Sequence, residues 1–117
     1  MSDITLYHNP KCGTSRNVLQ ALRDAGVEPT VIEYLKTPPG QATLTRLIAD
    51  MSIPVREVIR SKEAIYIELG LDDPSLSDAQ LIAKMVEHPI LINRPIVVTP
   101  KGTLLARPKE RLAEVFP

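Results

Sequence analysis

The chain has 117 residues, and its 14 basic and 14 acidic side chains cancel at pH 7. This length suffices for a single domain with its own core, which we predict for residues 1–117. Balanced charge favours neither nucleic acid nor a membrane surface as a partner, and no stretch is apolar enough to cross a bilayer. The start Met1-Ser2-Asp3 lacks a signal core, and a lone cysteine fits a reducing compartment. We therefore predict a cytoplasmic protein.

The first third of the chain predicts a βαβ unit. Residues 4–7 form an apolar run typical of a strand, and apolar residues then recur at helical spacing from about Thr14 until Gly26. Residues 30–34 are β-branched and predict a second strand. Two strands joined through a helix are expected to lie parallel.

A helical block follows the break at residues 37–40. Pro54 is suited to open a short helix, and Ser77 with Gln80 has the form of a capping box before the last helix of the block. We predict that the apolar stripes of these helices are core: Leu44, Leu47, Ile48, Met51, Val55, Val58, Ile59, Leu81, Ile82, Met85 and Val86.

The end of the chain predicts a hairpin and a helix. Strands at 96–98 and 103–106 flank a turn, and Pro108 fits the first position of a helix that turns Leu112, Val115 and Phe116 inward. The element order predicts an α/β, thioredoxin/glutaredoxin-like fold. It has a four-stranded mixed sheet flanked by helices, with a helical insertion at about 38–91 between strands 2 and 3. In such sheets the bond before the third strand is commonly cis, so we predict a cis Arg94–Pro95 bond.

The only cysteine, Cys12, lies in the loop that joins the first strand to the first helix. Unpaired N–H groups and the positive end of the helix dipole favour a thiolate there. Ser15 occupies the position at which a Cys-x-x-Cys motif would have its second cysteine. The thiol is therefore either a nucleophile without redox turnover or one that is resolved by a thiol from another molecule.

Four arginines lie at positions in the chain from which their side chains could reach this thiol. Arg16 is one turn along the helix from Cys12, whereas Arg60, Arg94 and Arg107 are at the ends of later elements. Arginine offers a planar fork of donors that suits a tetrahedral oxyanion. Only three residues separate Cys12 from Arg16, which excludes the five-residue phosphatase-type loop, and no zinc-ligand spacing is visible, so we predict no bound metal.

Two long motifs carry a specific resemblance. The segments HNPKCGTSRN at 8–17 and HPILINRPIVVTPKG at 88–102, with LIADM at 47–51, resemble the glutaredoxin-dependent arsenate reductases. The resemblance implies a thiol enzyme that reduces arsenate to arsenite. Glutathione is then the co-substrate, glutaredoxin is the protein partner, and no cofactor is bound.

The resemblance also implies roles for individual residues. Cys12 corresponds to the nucleophile, and His8 corresponds to the residue held to lower the thiol pKa. The three oxyanion-binding arginines correspond to Arg60, Arg94 and Arg107. Ser15 corresponds to a serine near the sulfur, and we expect Thr14 and Arg16 to support the thiolate at the start of the helix.

Two other functions stay open at this point. Transcription regulators that bind RNA polymerase share this fold, and some of them sense redox state through two cysteines, a switch that Ser15 removes here. A glutathione-dependent reductase of another substrate is the second alternative, because an arginine-lined site accepts other small anions. Turnover that requires arsenate would separate the reductase from both.

Overall fold

A computed structural model describes residues 3–115 of the chain. Its contacts divide these residues into a sheet unit (residues 3–37 and 94–115) and a helical unit (residues 38–93). The single domain expected for residues 1–117 stays a prediction. Within the described residues, no helix combines the length and hydropathy needed to span a membrane.

The sheet unit contains the predicted four-stranded mixed sheet. Its strands are β1 (Thr5–His8), β2 (Thr30–Glu33), β3 (Ile96–Thr99) and β4 (Gly102–Leu105), in the order β2-β1-β3-β4. β1 pairs parallel with β2, as the βαβ pattern predicts, and β3 pairs antiparallel with both β1 and β4. The predicted strand ends agree with these bounds to within one residue.

Helix α1 (Gly13–Asp24) packs against the sheet within this unit. It ends as predicted before Gly26, whose φ of +84° is a left-handed conformation that glycine adopts without strain. Val18 and Leu22 are fully buried against the sheet, and each such side chain contributes about 1.5–3 kcal/mol when removed from water. This packing fixes the N-terminus of α1 at the end of β1. The core cluster comprises Ile4, Leu6, Val18, Leu22, Val97, Leu104, Ala106, Leu112 and Val115.

The last element differs from the prediction. It is a 3₁₀ helix (Lys109–Glu114), and Pro108 precedes it in an extended conformation instead of occupying its first position. Leu112 lies in this helix and Val115 caps its end, and their spacing of three residues, one turn of a 3₁₀ helix, agrees with the burial of both. The predicted inward position of Phe116 lies outside the described residues. The cis Arg94–Pro95 bond is confirmed, and Arg107–Pro108 is also cis.

The helical unit holds four α-helices and a short 3₁₀ helix at Pro89–Leu91. The α-helices are α2 (Gln41–Met51), α3 (Val55–Val58), α4 (Ala64–Glu68) and α5 (Asp78–Glu87). The capping box is confirmed, because Ser77 Oγ accepts from the Gln80 N–H and Gln80 Oε1 accepts from the Ser77 N–H. The predicted apolar stripes are buried with one exception. Val86 is only half-buried because it lies at the margin of the stripe that Leu81, Ile82 and Met85 form on α5.

The sequence suggests that Arg60 ends helix α3, but Arg60 lies beyond the end of that helix. The helix stops at Val58, and Ile59 turns extended to form an antiparallel bridge with Ile92. Two backbone hydrogen bonds of 2.7 Å flank this bridge, from Arg60 N–H to Leu91 O and from Asn93 N–H to Val58 O. The backbone of Arg60 is therefore held in place by this short antiparallel pairing.

Candidate active site

Cys12 occupies the N-cap position of α1, at the mouth of the helix. The chain leaves β1 at His8 and turns between Asn9 and Cys12, where the Cys12 N–H donates to the Asn9 carbonyl oxygen at 3.0 Å. Cys12 has an extended backbone, and its own carbonyl oxygen accepts from the Arg16 N–H at 3.0 Å. The residue is only 8% exposed. The loop predicted from the sequence thus places the thiol beside the first helical turn, where the Ser15 N–H meets the sulfur.

The sheet topology brings two of the predicted arginines to this thiol. Because β1 and β3 are antiparallel, the end of β1 lies beside the start of β3, where Arg94 precedes the strand. The hairpin then returns Arg107 to the same edge. Arg107 Nη1 donates to the Cys12 sulfur at 3.5 Å and to the Arg94 carbonyl oxygen at 3.2 Å. The Arg94 side chain also hydrogen-bonds to the sulfur.

These contacts decide the ionisation of the thiol. Burial is the largest influence and raises the pKa of Cys12, since it removes the charged form from water. The Ser15 N–H, the Arg94 and Arg107 side chains and the charge of Arg94 act in the opposite direction and take the pKa down to about 7. The Cys12 side chain does not meet the geometric criteria for a helix-capping hydrogen bond. The Ser15 N–H nevertheless lies close enough to stabilise the thiolate. The thiolate is therefore much more populated at neutral pH than it is for an unperturbed thiol.

His8 hydrogen-bonds to Ser15, the residue whose backbone N–H stabilises the thiolate. Its Nδ1 lies 2.6 Å from the Ser15 hydroxyl oxygen, and both side chains are buried. Burial lowers the pKa of His8, the nearby Glu33 opposes this, and Arg23 and Arg16 add to it. The imidazole is consequently neutral at pH 7 and supplies no cation. Activation of the thiolate by His8 stays a prediction, and in this geometry its effect passes through the position of Ser15.

Support of the thiolate by the other two helix-start residues, Thr14 and Arg16, stays a prediction. The exposed Arg16 donates from Nη1 to the Pro10 carbonyl oxygen at 3.0 Å, so it braces the loop that carries Cys12. Thr14 is half-buried and Lys11 is exposed. The contribution of the Ser15 backbone N–H could not be assigned from residue types, because it depends on the start of α1 at Gly13.

Arg60 contacts two side chains of the helical unit. Its Nε donates to Glu63 Oε2 at 2.9 Å, and its Nη1 lies 3.5 Å from Asn93 Oδ1. The pair with Glu63 is largely buried, with 19% and 26% of the two side chains exposed. Its part in an oxyanion site stays a prediction.

A parallel βαβ start, an antiparallel hairpin and a thiol at the mouth of the first helix define a thioredoxin-like protein with a single cysteine. Two guanidinium groups at the sulfur further indicate a site for an anion. Residues 3–115 contain no group of three His, Cys, Asp or Glu side chains that could hold a metal ion.

Comparison with known proteins identifies the family. Residues 7–115 match the ArsC family. Over 117 residues the chain is 59% identical to an arsenate reductase of Yersinia enterocolitica and 57% identical to one of Escherichia coli, covering all of this chain and 83% of each relative. The solved structure of an arsenate reductase from Vibrio cholerae matches with a TM-score of 0.93 at 45% identity, covering 97% of both chains. This chain belongs to the ArsC family, which confirms the family resemblance and the predicted fold.

Proposed function

We propose that this protein reduces arsenate to arsenite, with Cys12 as the nucleophile and with glutathione and glutaredoxin as the source of electrons. The observation that supports this most is the position of Arg107 Nη1, 3.5 Å from the Cys12 sulfur, at a thiol that Arg94 also contacts. The nucleophile thus lies next to side chains that could donate hydrogen bonds to an oxyanion. The arsenate reductases among the relatives support the choice of arsenate over other oxyanions.

The first step joins sulfur to arsenic. The Cys12 thiolate attacks arsenic, an S–As bond forms, and one arsenate oxygen leaves as water after it is protonated. Arsenic stays in the +5 state. Positive groups that face the oxygens stabilise the charge that builds up on them, and we assign this role to Arg94, Arg107 and Arg60. We do not divide the stabilisation among the three, because groups that act together are not additive.

Two electrons are transferred in the second step. The glutathione thiolate attacks the Cys12 sulfur, an S–S bond forms, and the S–As bond breaks with its electron pair remaining on arsenic. Arsenite leaves, and a mixed disulfide between Cys12 and glutathione remains. A glutaredoxin thiolate attacks the glutathione sulfur and releases the Cys12 thiolate. An external thiol is required because the sequence contains no second cysteine. We place the protein in the cytoplasm, where glutathione is kept reduced.

The proposal is tested by NADPH oxidation coupled through glutathione reductase, glutathione and glutaredoxin. We expect turnover that requires both arsenate and glutaredoxin and that the Cys12→Ser variant abolishes, since serine supplies no thiolate. Circular dichroism of that variant serves as the folding control. A near-normal rate for Cys12→Ser would overturn the role of Cys12. Disulfide reduction without any arsenate dependence would indicate a reductase of another substrate, and a folded protein that binds RNA polymerase without turnover would indicate a regulator.

A further inference from the structure

Asn9 is a buried polar residue around which the Cys12 loop is organised. It is 2% exposed and lies between β1 and the thiol. Three of its polar groups hydrogen-bond within the loop and the first turn of α1. Its carbonyl oxygen accepts from the Cys12 N–H at 3.0 Å, its side-chain Oδ1 accepts from the Lys11 N–H at 2.9 Å, and its N–H donates to Ser15 Oγ at 3.1 Å.

These bonds restrain the chain on both sides of the loop. Asparagine followed by proline suits the first two positions of a β-turn, and the side-chain bond to the residue two positions on adds a second, Asx-type turn inside it. The bond to Ser15 ties the beginning of the loop to the third residue of α1. Because Asn9 is buried, water does not compete for these groups, and losing a partner leaves a buried polar group unsatisfied.

The restraint bears directly on the sulfur. The turn fixes the backbone of Cys12, and this backbone sets the distance from the sulfur to Arg107 Nη1, which is 3.5 Å. A hydrogen bond weakens as its distance and angle depart from the favourable range, so a shift of the loop weakens this contact together with the contribution of the Ser15 N–H. The energy of a charged contact in a partly buried site falls with distance more steeply than it does in open water.

We propose that Asn9 is a positioning residue of this site, whose side-chain carbonyl group shapes the turn that holds the Cys12 sulfur against Arg107 and the Ser15 N–H. The inference rests on the proposed function insofar as Cys12 is the nucleophile. It adds a residue that acts on the sulfur through the backbone of the loop.

The test compares Asn9→Ala with Asn9→Ser. Alanine removes the acceptor for the Lys11 N–H, whereas serine keeps a weaker and shorter one. We expect alanine to raise the pKa of Cys12 by about one unit, which lowers the thiolate fraction at pH 7 about fivefold, and serine to raise the pKa by less. The pKa is measured from the pH dependence of iodoacetamide alkylation. Asn17→Ala is the matched control, because Asn17 is an exposed asparagine on α1 and should leave the thiol pKa unchanged.

Each outcome decides the proposal. A folded Asn9→Ala variant with the wild-type thiol pKa would overturn it, as would equal shifts in the alanine and serine variants, since these would indicate lost packing. If Asn9→Ala does not fold, Asn9→Ser decides alone: an unchanged pKa contradicts the inference and a raised one supports it. Alkylation needs no arsenate, so a wild-type protein without arsenate-dependent turnover would refute the proposed function while leaving this comparison intact.

Discussion

Arg107 uses one nitrogen atom for two contacts. Nη1 donates to the Arg94 carbonyl oxygen at 3.2 Å and to the Cys12 sulfur at 3.5 Å. The carbonyl contact anchors the guanidinium to the backbone at the start of β3, so the group is already in place when the thiol ionises. Preorganised donors of this kind stabilise an anion without a cost of reorganisation.

Replacing Arg107 by lysine should separate charge from geometry. Lysine retains the positive charge but is a flexible point charge without a planar fork, so we expect it to recover only part of the stabilisation of the thiolate. The pKa of Cys12 should rise from about 7, less in Arg107→Lys than in Arg107→Ala, where the rise should be about one unit. Alkylation rates measured against pH provide the readout.

Arg111→Lys is the matched control for this series. Arg111 is in the same unit but pairs with Glu114 at 3.2 Å and does not contact the sulfur. Its substitution should not move the thiol pKa. If Arg107→Ala also left the pKa of Cys12 unchanged, the contact between Arg107 and Cys12 would not stabilise the thiolate.

At the scale of the elements, Glu63 joins the turn after α3 to the start of α4. It is the N-cap residue of α4, and its carboxylate pairs with Arg60 Nε at 2.9 Å. A carboxylate on this guanidinium reduces the positive charge that an incoming oxyanion would meet. If Arg60 binds arsenate, Glu63 therefore opposes that binding electrostatically, although it also holds the side chain in one orientation.

The variant Glu63→Gln tests whether Arg60 binds the oxyanion. Glutamine keeps a hydrogen-bond acceptor for Nε but removes the negative charge, so we expect the KM for arsenate to fall about two- to threefold, in line with a partly buried ion pair worth about 0.5 kcal/mol. The kcat value should change little, and the Cys12 pKa should stay in place. Glu87→Gln is the control, since Glu87 forms an exposed pair with Lys84 in the same unit. A KM that does not change in Glu63→Gln would contradict oxyanion binding by Arg60.

The sequence predicts the elements well because their signals are local. The β-branched run at 30–34, the capping box at Ser77 and the glycine after α1 each act within a few residues. The 3₁₀ helix at the end was missed because Leu112 and Val115 at spacing three are compatible with either type of helix. The end of α3 was misplaced because the bridge between Ile59 and Ile92 depends on residues 33 positions apart.

The site was predictable only in part. Its residue types could be listed from the sequence, but the contact of Arg107 with Cys12 spans 95 positions and exists because β3 lies between β1 and β4. The resemblance implies that His8 lowers the thiol pKa, and this stays a prediction; that burial lowers the pKa of His8 itself depends on its packing and could not be predicted from the sequence. Asn9 followed by proline signals a turn in the sequence, but the three hydrogen bonds of Asn9 form only in the folded loop and could not be predicted from the sequence.

For the whole molecule, the lowered thiol pKa links activity to stability. The pKa of Cys12 is about 7 in the folded protein, whereas a thiol in the unfolded chain titrates at about 8.5. Between these values the unfolded state binds more protons, so the free energy of unfolding should increase as pH rises from 7 to 8.5. The contribution of the thiol is complete above the unfolded pKa and is lost as pH falls through the folded pKa.

The lowered pKa of Cys12 predicts the pH dependence of two measurements, alkylation and stability. Alkylation of Cys12 should rise with pH and level off above a midpoint near 7, and urea unfolding should show a wild-type stability that increases relative to Cys12→Ser over pH 7 to 8.5. The lowered pKa of His8 affects both proteins equally and cancels in the difference. A constant difference in stability over this range, combined with an alkylation midpoint near 8.5, would show that Ser15, Arg94 and Arg107 do not stabilise the thiolate in solution.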